Sequence, residues 1–204
     1  TNWTNVDGTA NGAMSPVPGF AVFAGAPGAV TVDDVAGAIS VTGMQFATNG
    51  YVFSGDAINL AGLGGDAIIR VGDGTGAGAG YTATIGSVLT GPAQLVKTDL
   101  GTLVLSGINT YSGGTQINGG TVQVSQDANL GDAVGGLVMN GGTLATTASF
   151  DTTRDVTLLA NGQFDVATGT ALGLEGDITG SGDLIKQGSG MLLLSGSNAY
   201  GDTI

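Results

Sequence analysis

The sequence predicts an all-β chain wound as a parallel β-helix of about nine or ten rungs. Three observations carry that expectation. Gly makes up 40 of the 204 residues, and the acids are 15 Asp against one Glu, Glu175. Short apolar runs alternate with polar residues, the pattern of half-buried strands. Related strand motifs return about every 20 residues.

The composition excludes much else. Gly costs about 1 kcal/mol against Ala at each helical position, so this is no helical protein. Asp suits turns where Glu suits helices. There is no Gly-X-Y period, which removes collagen. At 42% apolar residues the chain is too hydrophobic for a disordered linker. The 25 Thr fit strands. The net charge is −12, and the four basic residues, Arg70, Lys97, Arg154 and Lys186, do not cluster. Nucleic acid and anionic membrane are therefore not expected partners. Without Cys or His, thiol chemistry, the usual zinc sites and a Ser-His-Asp triad are excluded. No apolar run reaches the length of a membrane span, and no signal segment opens the chain. Because it starts without Met and stops inside a repeat, the chain is expected to be a fragment of a longer protein.

Residues 1–90 form a less regular part, read as N-terminal rungs or a cap. Phe20–Phe23, Val30–Val32, Ile39–Val41, Tyr51–Phe53, Ile58–Leu60, Ile68–Val71 and Thr82–Ile85 read as short strands. Gly72–Gly80 reads as a loop or flexible excursion. Residues 91–204 are regular and continue the same solenoid. Alternation is plain in Leu103-Val-Leu105, Val122-Gln-Val124, Phe164-Asp-Val166 and Leu192-Leu-Leu194. Asn-Gly-Gly-Thr at 118–121 returns at 140–143, and Asn-Gly returns at 161–162. Val122, Leu144, Phe164 and Leu184 keep the beat, as do Ile117, Leu137, Val156 and Ile178. Asn-Gly is also a hairpin signal, but an antiparallel meander has no reason to hold one sequence in register across units. A coil of three strands and three turns per rung does. Equivalent strands then stack about 4.8 Å apart in a rod about 45 Å long.

A longer repeat overlies this period. Leu95–Tyr111 and Leu184–Tyr200 are identical at 9 of 17 positions, with an offset of 89 residues, or about four rungs. The shared positions after the leading Leu are Lys97, Gly101, Leu103, Leu105, Ser106, Gly107, Asn109 and Tyr111. In the second copy they are Lys186, Gly190, Leu192, Leu194, Ser195, Gly196, Asn198 and Tyr200.

Residues 95–124, and the shorter copy 184–204, resemble the autotransporter-associated β-strand repeat. The second copy lacks one Gly where the first has Gly113-Gly114. The stretch from Val41 to Asp56 also resembles passenger segments that precede such repeats. The resemblance implies a right-handed β-helical passenger of type V secretion. It would be exported through the periplasm and displayed at the bacterial outer membrane by a C-terminal β-barrel translocator. It implies adhesion, aggregation or biofilm formation, with a host-cell or neighbouring-cell protein or glycan as partner. Self-association at exposed end strands is a further expectation. Two alternatives remain: a polysaccharide hydrolase or lyase, and a passive secretion stalk.

No catalytic, cofactor or metal residues are assigned. The pair Asp33-Asp34 reads as a polar turn. Gly64-Gly-Asp66 and Gly72-Asp-Gly74 fall out of frame for calcium-binding nonapeptides. Lys97 and Lys186, about 20 Å apart along the rod, read as solvated positions with packed stems. Asn109 and Asn198 read as turn residues. Trp3, Tyr51, Tyr81, Tyr111 and Tyr200 are candidates for sugar stacking, without an evident cluster. Gly72–Gly80 lacks the Lys-Ser/Thr and helix start of a phosphate loop.

Overall fold

The computed structural model describes residues 18–204, and the backbone of a short antiparallel pair, Trp3–Thr4 with Asn11–Gly12. Among these residues there is no α-helix, and the strands beyond that pair stack in parallel. Each rung visits three faces in turn. The first face runs through Gly19–Phe23, the end of Ile39–Phe46, Asp66–Val71, Gln94–Thr98, Thr115–Ile117, Leu137–Met139, Val156–Leu158 and Ile178–Gly180. The second is an eight-stranded sheet from Ala29–Val32 to Leu184–Gln187. The third holds the start of Ile39–Phe46 with Ile58–Leu60 and Leu89–Thr90. It resumes as Phe150–Thr152, Ala171–Leu174 and Met191–Leu194. Between these two blocks the third face is irregular, and one rung fills it with a 3₁₀ turn at Asp127–Leu130.

The coil has about eight turns rather than nine or ten, because the early rungs are longer than the period. Tyr51 pairs with Ala83, a step half as long again as the period. From there the steps follow the expected period: Thr82 to Thr102, Thr121, Thr143 and Gln163. Gly72–Gly80 lies in the long rung and is an ordered loop. Its 3₁₀ turn at Gly76–Gly80 is capped by Thr75, and Asp73 accepts from the Thr75 amide and hydroxyl.

Inward residues form apolar ladders. One runs Tyr51, Ala83, Leu103, Val122, Leu144, Phe164 and then Lys186. The expected fourth member, Leu184, stands two residues away, opposite Gly162. Ile117 is likewise offset: Thr115 is the partner of Leu137, and Ile117 that of Met139. A slip of two residues keeps a side chain on the same face, so alternation alone cannot fix the register. The early rungs are filled by a cluster of Phe23, Phe46, Tyr51 and Phe53, with Phe46 and Phe53 edge to face at 5.4 Å.

Phe164 is fully buried in its ladder. Phe164→Ala should cost about 3–5 kcal/mol in urea unfolding, whereas the neighbouring half-exposed Asp165→Asn should change stability by less than about 0.5 kcal/mol.

Candidate functional site

The two copies of the long repeat do not lie on the same faces. Gln94–Thr98 belongs to the first face, but its counterpart Leu184–Gln187 belongs to the second. Thr102–Leu105 is on the second face and Met191–Leu194 on the third. Four turns take Thr102 through Thr121, Thr143 and Gln163 to Ile185, whereas its counterpart in the repeat is Met191. The repeat offset is therefore four turns plus one face. What repeats is a strand–corner–strand unit, and two different corners of the triangle accept it.

The two units are congruent atom by atom at many positions. Ser106 N donates to Ile85 O and Ser195 N to Leu174 O, each on the preceding rung. The Asn109 side-chain oxygen accepts from Leu89 N, and that of Asn198 from Ile178 N. Tyr111 OH meets the Thr115 hydroxyl at 2.7 Å, and Tyr200 OH that of Thr203 at 2.8 Å. The missing glycine of the second copy is absorbed between these two groups. A Cβ at Gly101 would stand 2.7 Å from Val71 Cγ1, and one at Gly190 2.6 Å from Val166 Cγ1. Gly107 and Gly196 press on backbone oxygens of the preceding rung in the same way. Leu103 and Leu105 are buried in the core, and Leu192 and Leu194 pack against it.

Lys97 is buried, which corrects its solvated reading; Lys186, in the matching place, is half-exposed. Lys97 is fully buried in a ladder between Ile69 and Ile117. Its Nζ donates to the carbonyls of Thr98, Asp99 and Gly119. Lys186 follows Phe164 and donates to the carbonyls of Gln187 and Gly188. The ammonium thus gives the carbonyls of the tight corner a charged donor. Burial pushes the Lys97 ammonium down to about 8, against a smaller opposing effect of the Asp99 charge. Among the described residues Asp99 is the non-Gly residue with positive φ (66°), and Gly188 takes the matching place at 67°. Burial works to raise the Asp99 carboxyl. Hydrogen bonds from Leu100 N, Arg70 and Gly74 N outweigh it and hold the group below its usual range.

Other polar corners join rung to rung. Asp56, Asp155, Asp177, Asn161 and Asp183 each accept a backbone amide 19–22 residues away. Asp33 closes a local turn onto Val35 N, as expected. The aromatic candidates are mostly internal: Tyr51 and Tyr111 are buried, and Tyr81 is half-buried and bonded to Asp73. That carboxylate raises the Tyr81 hydroxyl, and burial raises Tyr111. The Trp3 side chain lies outside the described residues.

Sequence reasoning missed Arg154. Its buried guanidinium holds Asp127 through Nε at 2.7 Å and also donates to the carbonyls of Asp127, Gly131, Asp132 and Gly135. Asn129 works beside it, taking Ser125 N and Gln126 N on its oxygen and donating to Gly107 O. A lone Arg 27 residues from its partner carries no signal in sequence.

The strands of this three-sided coil, built from face-shifting corner repeats, stack as a parallel β-solenoid, and among its described residues no catalytic constellation is assembled. Residues 95–124 and 184–204 match the passenger-associated-transport-repeat family. The adhesin BmaC autotransporter of Brucella suis biovar 1 (strain 1330) is 49% identical over 197 residues, 97% of this chain. The chain spans 6% of that relative's length. No solved structure matches.

Lys97 carries a pH signature. Between about 8 and its ordinary value of 10.5, the unfolded chain keeps a proton that the folded chain has released. Stability therefore rises with pH across that window and its contribution is flat below it. The stability of the native chain relative to Lys97→Met should rise by on the order of 3 kcal/mol over this range. A pH-independent difference would show that Lys97 is not a desolvated ammonium. Arg154→Met strands the Asp127 carboxylate and four carbonyls, and should cost about 3–5 kcal/mol while opening residues 126–136 to limited proteolysis.

Proposed function

We propose that this chain is a surface-displayed module of an autotransporter adhesin and contributes to adhesion, aggregation or biofilm formation. The observation that carries the reading is the identity to the Brucella adhesin, which extends over 97% of the chain. The partner is a protein or glycan on a host or neighbouring cell, met by the flat faces and corner loops. In the parent protein a C-terminal β-barrel translocator displays the coil after export through the periplasm. The repeat positions close rungs and hold corners; they are not ligand contacts. Lys97, Tyr111 and Asn109 support this, since all three are buried and committed to the fold. The chain is not an enzyme in this reading. Its four cations are too few to grip a polyanionic sugar, and Lys97 and Arg154 are buried.

The test removes residues 18–204 from the full-length protein and measures surface display, adhesion and autoaggregation together. Loss of adhesion with display intact supports the adhesive module. Unchanged adhesion with display intact makes the segment a passive stalk. Loss of display assigns it to secretion. Turnover of uronate polymers by the purified chain, abolished by Asp substitution, would replace the reading with an enzyme.

A further inference from the structure

We propose that Asn140 is the site of spontaneous backbone modification in the folded protein, through attack of the Gly141 amide on its side chain. Asn-Gly pairs stand at 49–50, 118–119, 140–141 and 161–162 among residues 18–204. They share the same local chemistry, and the coil treats them differently.

Two of the pairs are stapled at two points to a single residue of the neighbouring rung. Thr82 N donates to the Asn49 side-chain oxygen at 2.7 Å, and Gly50 N donates back to Thr82 O at 2.9 Å. Asp183 N donates to the Asn161 oxygen at 3.1 Å, and Gly162 N donates back to Asp183 O at 2.9 Å. Each staple commits both the carboxamide oxygen and the Gly amide to hydrogen bonds with the neighbouring rung. At Asn140 neither end is held this way. Among the described residues the Gly141 amide has no acceptor and the Asn140 side-chain oxygen receives no donor. The side-chain NH2 makes a single bond, to the Asn118 oxygen at 3.1 Å. Gly50 and Gly141 have nearly the same φ, 97° and 95°, so the difference lies in the partners. A Cβ at Gly141 would have Asn118 O as its nearest neighbour, at 3.8 Å, so the corner is open.

Asn118 is the intermediate case. Among the described residues its Gly119 amide also has no acceptor. However, its side-chain oxygen is held by both Gln116 and Asn140. A Cβ on Gly142 would come within 3.2 Å of the Gly119 nitrogen, so backbone crowds the nucleophile.

The step balances without a co-reactant other than water. Gly141 N forms a bond to Asn140 Cγ, and the Cγ–Nδ2 bond breaks. The Gly141 amide proton leaves with Nδ2 as ammonia. Water then opens the succinimide at either carbonyl, giving aspartate or isoaspartate. Both products add a negative charge to the corner and replace the NH2 that now donates to Asn118.

The experiment ages the folded chain at mildly alkaline pH and maps peptides by mass, with isoaspartate read separately. A parallel sample is kept unfolded in urea. In the folded chain, the Asn140 peptide should convert at least about tenfold faster than those of Asn49 and Asn161, since each staple adds two hydrogen bonds that the attack must break. Exposure predicts the opposite order, because Asn49 and Asn161 are exposed and Asn140 is half-buried. In urea the rates should converge. Conversion of Asn49 or Asn161 at the rate of Asn140 in the folded chain would overturn the proposal. So would an Asn140 excess that persists in urea, since the fold would then not be its cause.

Discussion

Each rung's backbone is completed only by the rungs on either side of it. A parallel ladder directs every strand amide and carbonyl outward along the coil axis, toward a neighbour about 4.8 Å away. Ser106 finds Ile85, Thr121 finds Gly101, and Thr147 finds Val124, rung after rung. This spacing leaves no room for a side chain where one corner crosses another. Gly101, Gly107, Gly190 and Gly196 stand at such crossings, and a Cβ there would meet backbone of the preceding rung. The glycine content of the chain is therefore a consequence of stacking as much as of turn geometry.

Corners also explain the charges. An amide that leaves its strand at a corner needs an acceptor on the next rung, and a short carboxylate or carboxamide can reach it. Asp155 serves Asp177, which in turn serves Ser197. Short side chains suit this reach, which is consistent with the preference for Asp over Glu. The carbonyls of the same corners need donors, and here the two lysines supply them. For Lys97 the cost of burial is offset by the oxygens it meets. The acids are thereby concentrated at corners, while much of the second face is neutral. Thr82, Thr102, Thr121 and Thr143 form one row along it. For a protein of net charge −12, that leaves uncharged flats bordered by acidic edges.

Stapling is uneven along the coil. Arg154 ties down residues 127–135 where the third face has no strand. Asn49 and Asn161 are tied at two points, while Asn140 is not. Such differences arise because successive rungs differ by a few residues in length. Each insertion moves a corner relative to the one below it and changes which polar groups face one another.

The sequence alone determined the class of fold. Alternation, Gly-marked corners and a short, regular repeat of strand motifs leave few solutions besides a stacked coil, and the nine-position identity marks the repeat. The periodic signal is physical: homologous strands must bury the same face against the same neighbours. Three things were decided only by the tertiary structure. Register was one, because a slip of two residues preserves the inward pattern. The face occupied by each repeat was another. Strand–corner–strand units are nearly equivalent around the triangle, and only the summed rung lengths tell four whole turns from four turns and a face. The third was the fate of Lys97 and Arg154. A lysine beside an apolar run looks solvated in one dimension. It is buried because Thr98, Asp99 and Gly119, brought together by winding, offer its ammonium the oxygens that water would otherwise supply.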